Sequence, residues 1–170
     1  MDARRVAVHG SSAGASLAAG LALHARDIGI PLALQSLTCP ALDSRTPGTD
    51  DPDHSMQGLS PTLTRDSVAA MWEHYLGDGD PGAPDLQYVV PALADDLGGV
   101  APAHLTIAEH DVLRDEALDY AQRLDEAGVQ TEVDLVPGSV HGFDGLLPES
   151  RIAREAIARQ VRALASALRE

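Results

Sequence analysis

The sequence predicts an α/β fold: about four parallel strands in one sheet, with helices on both faces. Three observations carry this reading. Short apolar or β-branched runs alternate with helix-forming stretches long enough to cross from one strand to the next. At 170 residues the chain can bury one real core, whereas two would be cramped, so residues 1–170 read as a single domain. Apolar residues make up 44% at a mean hydropathy of −0.08, the balance of an ordinary globular chain.

The elements follow in order. Val6 to His9 is a short strand, and Ser12 to Asp27 a helix rich in Ala and Leu. Pro31 to Leu37 reads as a second, buried strand. Residues 40–62 are dense in Pro, Gly, Asp and Ser, which forces a long surface excursion. Leu63 to Leu76 is helix-like, with Thr64 or Asp66 near its start, and Gly77 to Asp85 forms a second loop. His104 to Ala108 is strand three, and Asp115 to Ala127 a helix stopped by Gly128. Thr131 to Val136 is strand four, closed by Pro137-Gly138. A long amphipathic helix, Glu149 to Leu168, ends the chain, with Ile152, Ala156, Ile157 and Val161 as its apolar stripe.

Composition excludes several classes of function. The net charge of −14 opposes nucleic acid and anionic membrane, since phosphate contacts need clustered Lys and Arg. No apolar run approaches the roughly 20 residues that a membrane span needs. Arg4 and Arg5 are not followed by a signal-peptide apolar region, and Cys39 is the single cysteine. Both point to a cytoplasmic chain without an internal disulfide.

The chemistry begins at Gly10-Ser11-Ser12-Ala13-Gly14. A G-x-S-x-G pattern between a strand and a helix sets its serine on a sharp turn at the end of the strand. Ser12 then stands at the positive end of a helix, with the Ala13 N–H facing any developing oxyanion. Taken alone, the motif reads equally well as a glycine-rich βα turn. Two further segments shift that balance. Strand three runs into Glu109-His110-Asp111, and strand four into Ser139-Val140-His141-Gly142. Ser12, Asp111 and His141 each follow the C-terminal end of a different parallel strand, the edge where sites form in open α/β sheets. Their order, Ser then Asp then His, is that of a hydrolase triad on such a sheet.

The segments HGSSAGASLAAGLAL, EHDVLRDEALDYAQRLDEAGV and VPGSVHGF resemble the C-terminal half of hormone-sensitive-lipase-like carboxylesterases, members of the α/β-hydrolase fold. Pro40-Ala41-Leu42-Asp43 and Tyr88-Val89-Val90-Pro91-Ala92 extend the likeness over nearly the whole chain. The resemblance implies Ser12 as nucleophile, Asp111 as acid, His141 as general base and Ala13 N–H as an oxyanion donor. It implies a small-molecule ester, of short chain, as substrate, and no metal or organic cofactor. Members of that family carry a His-Gly-Gly-Gly oxyanion loop and a cap upstream of the nucleophile; this sequence has no such loop. Two alternatives therefore stand beside a working esterase: a folded but weakly active or inactive truncated homologue, and a non-catalytic ligand-binding relative. His141 speaks against the last, which has no use for a general base. An uncovered sheet edge at Val6 to His9 is expected to make the chain self-associate there or through its last helix.

Other residues are read structurally. Asp115 and Glu116 open a helix, where carboxylates suit the dipole. His110 points away from Asp111 as a surface residue. Asp50, Asp51, Asp53 and His54, like Asp78 and Asp80, match no metal-binding spacing. Trp72 and Tyr75 line either an acyl pocket or the core.

Overall fold

The computed structural model describes residues 5–45, 60–80 and 82–169. Four strands, β1 (Ala7–Ser11), β2 (Leu34–Thr38), β3 (Ala103–His110) and β4 (Thr131–Val140), lie side by side in that order, each parallel to its neighbour. The helices between and after them are α1 (Ala13–Asp27), α2 (Arg65–Leu76), α3 (Arg114–Glu126), α4 (Phe143–Leu146) and α5 (Arg151–Ala167). The α/β expectation holds, and so do four strands and helices on both faces.

Strand periodicity sorts the side chains. Leu37, Leu105 and Ile107 point toward α1 and α3, where Ala15, Ala19, Leu23, Tyr120 and Leu124 complete the main core. The alternate residues Ala108 and Val136 meet Phe143, Ala153 and Ala156 beneath α5. A third cluster packs α2, through Val68 and Trp72, on Ala41, Val90, Val112 and Leu113. Trp72 is therefore a core residue, stacked edge-on against Tyr75 at 5.7 Å.

Local signals place most helix ends. Thr64 caps α2 by accepting from Ser67 N–H at 3.2 Å, and Ser150 caps α5 by accepting from Ala153 N–H at 3.1 Å. Gly128, at φ 78°, ends α3. The expectation that Pro137-Gly138 closes strand four is corrected: β4 runs on to Val140. Among the described residues it has β3 as its one neighbour, and an edge strand tolerates a proline. A register shift opposite Ala108–His110 absorbs the extra residues. Two 3₁₀ turns, Leu86–Tyr88 and Pro91–Leu93, and the short α4 are additions that the sequence pattern does not signal. Residues 46–59 of the expected excursion, with Asp50, Asp51, Asp53 and His54, lie outside the described residues.

Candidate active site

Ser12 occupies the corner between β1 and α1 at φ 55° and ψ −125°, a backbone conformation that a non-glycine residue adopts only when its surroundings enforce it. The enforcement is visible. The Ser12 N–H donates to the Thr38 carbonyl at 2.9 Å, and its own carbonyl accepts from Ala15 N–H at 2.9 Å. Gly10 permits the turn: a Cβ there would sit 2.0 Å from the Gly14 carbonyl oxygen. The two glycines of the motif thus play different parts. Gly14 has open space around it and contributes the carbonyl that Gly10 must accommodate.

Asp111 and His141 arrive from the ends of β3 and β4. Asp111 is 1% exposed; its Oδ1 accepts from Leu113 N–H at 3.0 Å, which fixes the carboxylate plane. His141 Nδ1 lies 2.7 Å from Asp111 Oδ2, and His141 Nε2 lies 3.0 Å from Ser12 Oγ. The three residues expected from sequence are therefore in one hydrogen-bonded line. Ala13 opens α1, so its N–H has no acceptor within the helix and stands beside Ser12.

Supporting groups escaped the sequence reading. Glu109 Oε2 accepts from Gly138 N–H at 2.7 Å, and Ser139 Oγ donates to the Val136 carbonyl at 2.7 Å while accepting from Glu109 N–H at 3.3 Å. These bonds stitch the end of β4, which leads into His141, to the end of β3, which leads into Asp111. Thr62 Oγ donates to the His141 carbonyl at 3.0 Å. Glu116 does more than open α3: its buried Oε1 accepts from Leu42 N–H at 2.7 Å and Asp43 N–H at 3.3 Å. Ser16 Oγ donates to the Ala41 carbonyl, so the segment after β2 is held from two helices. His110 is exposed, 3.6 Å from Glu109, as expected. Asp80 accepts from Gly82 N–H at 2.9 Å, an ordinary turn contact.

Cys39 follows β2 with φ 43° and is 1% exposed. Burial pushes its thiol up to about 12, so the sulfur is a neutral S–H. Its Sγ, a carboxylate oxygen of Asp111 and a ring nitrogen of His141 all lie within 4.8 Å of one another. Two cavities lie elsewhere. One of about 480 Å³ sits at the opposite end of the strands, beside His104 and Ser166; another of about 620 Å³ lies between Arg45, Tyr75 and Leu86. Tyr75 thus lines a cavity to which Ser12, Asp111 and His141 do not contribute.

Among known proteins, residues 1–145 match the model of a family described as alpha/beta hydrolase fold. Carboxylesterase NlhH of Mycobacterium tuberculosis is 37% identical over 171 residues, covering 98% of this chain and 52% of its own. Esterase LipI of the same species is 34% identical, covering 96% and 50%. A bacterial heroin esterase superposes with a TM-score of 0.86 at 38% identity, covering 100% of this chain and 54% of its own. Esterase LipW from Mycobacterium marinum gives 0.85 at 42% identity, covering 98% and 51%. The chain spans about half the length of these relatives. With that likeness, it belongs to the alpha/beta hydrolase fold family, among the hormone-sensitive-lipase-like carboxylesterases.

Proposed function

We propose that the chain carries the catalytic triad of a serine carboxylesterase acting on short-chain esters, with Ser12 as nucleophile, His141 as general base and Asp111 as its orienting acid. The observation that carries this is the continuous line from Asp111 Oδ2 through both nitrogens of His141 to Ser12 Oγ, at 2.7 and 3.0 Å. In the first half-reaction Ser12 Oγ attacks the ester carbonyl as its proton passes to His141 Nε2. That proton then goes to the departing alcohol. Asp111 keeps Nδ1 protonated and stabilises the imidazolium. Water, deprotonated by the same nitrogen, then cleaves the acyl-enzyme and regenerates Ser12. The Ala13 N–H supplies one oxyanion donor.

The test is labelling by a fluorophosphonate probe, followed by hydrolysis of p-nitrophenyl acetate. Ser12→Ala should abolish labelling and Ser11→Ala should not; labelling that survives Ser12→Ala refutes the nucleophile. Asp111→Asn should lower turnover by about 10⁴, because the amide favours the wrong imidazole tautomer.

A second reading, a folded homologue of low activity, draws on a different observation. Val6, Leu17, Leu21, Ile28 and Ile30 are 36, 58, 51, 54 and 51% exposed, all on or beside β1 and α1, and among the described residues β1 has β2 as its one partner strand. An apolar surface beside an open edge favours association of two copies. Light scattering at micromolar concentration would detect it, and a monomer with brisk turnover would exclude it. No described helix is long and apolar enough to cross a membrane.

A further inference from the structure

The triad has a neighbour that ester hydrolysis does not use. Cys39 contributes a thiol to the same buried corner as Asp111 and His141, and sulfur, imidazole nitrogen and carboxylate oxygen are the three donor types that zinc-class ions take from proteins. The three ligand atoms come from the ends of three adjacent strands, β2, β3 and β4. No short sequence motif could have announced them.

We propose that Cys39, His141 and Asp111 form a binding site for a zinc-class divalent cation whose occupancy switches the serine nucleophile off. In a tetrahedral zinc site with bonds of about 2.0–2.3 Å, neighbouring ligand atoms stand roughly 3.4–3.6 Å apart. The present separations, none above 4.8 Å, close to that range with side-chain movements of about an ångström. The Asp111–His141 pair, now at 2.7 Å, opens slightly to admit the ion. Charge favours the exchange. The Cys39 S–H bond breaks, its proton leaves to solvent, and a sulfur–metal bond forms. The +2 ion, the thiolate and the Asp111 carboxylate then sum to zero around a neutral imidazole, which suits a desolvated corner. No electron changes hands. The ion enters past His141, whose side chain is 14% exposed while that of Asp111 is 1% exposed. Its fourth position stays open to water.

The consequence for catalysis rests on the esterase reading. Nδ1 is the atom that meets Asp111, and Nε2 is the atom that faces Ser12. Whichever nitrogen takes the ion is lost to the proton relay, and Ser12 loses its base.

The experiment titrates the 170-residue chain with Co²⁺, then displaces the cobalt with Zn²⁺. Wild type should bind one cobalt with a near-ultraviolet thiolate-to-metal charge-transfer band, and zinc should remove that band. Loss of a group that merely orients a metal ligand costs about 10–100-fold in affinity. Cys39→Ser should therefore lose the band and bind at least about 100-fold more weakly. Cys39 is buried, so circular dichroism of each variant accompanies the titration, and the wild-type band decides the matter even if a variant misfolds. Fluorophosphonate labelling of Ser12 should fall as zinc is added to wild type and stay constant in Cys39→Ser. A cobalt complex without the thiolate band, or equal zinc affinity in wild type and Cys39→Ser, overturns the site. A wild type that shows the band but never labels at Ser12 keeps the site and refutes the esterase reading instead.

Discussion

The two faces of the sheet are built on opposite plans. Toward α1 and α3 the strands present Leu37, Leu105 and Ile107, met by an alanine-rich helix and by Tyr120 and Leu124. Toward α5 the same strands present Ser36, Thr38, His104 and Thr106, all buried. There Gln160 Nε2 donates to Thr38 Oγ at 2.7 Å, and Arg159 donates to Asp134 at 2.7 Å. The first face is held by area removed from water; the second adds a sparse polar lattice to the smaller apolar cluster of Ala108, Val136, Phe143, Ala153 and Ala156. Ser12, Asp111 and His141 follow the C-terminal ends of β1, β3 and β4, between the two faces. Their placement therefore depends on a stiff apolar core at one side and also on individual hydrogen bonds at the other.

The largest expected contrast is a truncation on the apolar side. Leu105 is fully buried between α1 and α3, so Leu105→Ala should cost about 2–5 kcal/mol through lost transfer energy and the cavity left behind. Ser36→Ala, on the adjacent strand β2 but facing α5, removes a 3.4 Å contact with Gln160 and should cost about 1 kcal/mol or less. Denaturant midpoints of both variants would rank them. A reversed order would mean that the polar lattice, not the core, sets stability.

This contrast also marks how far the sequence could be read. Alternating strands and helices and the Gly10–Gly14 turn are periodic or local signals, and both appear in the structure; Ser12, Asp111 and His141 each follow a strand end, as the alternation implies. The failures are bonds between distant residues. Glu116 looked like a carboxylate placed for a helix dipole, yet it reaches back to Leu42 and Asp43, across a gap that no periodicity records. Glu109 with Gly138, Thr62 with His141, and Cys39 beside Asp111 are of the same kind. Pro137-Gly138 reads locally as a stop after Val136; an edge strand has a free side that admits the proline, and that is decided by the sheet, not by the residue.

Glu116 gives the next effect in size. Its Oε1 accepts two backbone N–H groups from the segment that follows β2. Glu116→Ala leaves the buried Leu42 N–H and the half-buried Asp43 N–H without this acceptor and should cost about 1.5–3 kcal/mol. Because the bonds of Glu116 Oε1 go to Leu42 and Asp43, the fraction that stays folded should still label at Ser12. A stable variant that no longer labels would move Glu116 from the fold into the chemistry.

A gain is expected on the polar face. The Thr106 hydroxyl is buried and has no hydrogen-bond partner among the described residues. Such a group carries its desolvation cost without compensation, so Thr106→Val, which keeps the shape and removes the hydroxyl, should raise stability by about 1 kcal/mol. A loss of stability would show that the hydroxyl is satisfied by a bound water and that the lattice is more complete than direct bonds suggest.

The smallest effect concerns the remaining unmet group on that face. His104 is fully buried, and neither ring nitrogen has a hydrogen-bond partner among the described residues. Desolvation holds its pKa below the usual imidazole value, helped by Arg159 and opposed by the carboxylates of Glu132 and Asp134. The folded chain therefore binds a proton at His104 less readily than the unfolded chain does. The resulting stability is complete above the unfolded value of about 6.5 and drains away as pH falls through the folded one. His104→Leu removes that contribution and leaves every other titrating group in place. Denaturant midpoints between about pH 7.5 and pH 5.5 should then fall more steeply for wild type than for the variant. Parallel slopes would mean that the imidazole finds a partner once protonated, Glu132 or Asp134 being the nearest in register on β4, and that the polar face reorganises where the apolar one cannot.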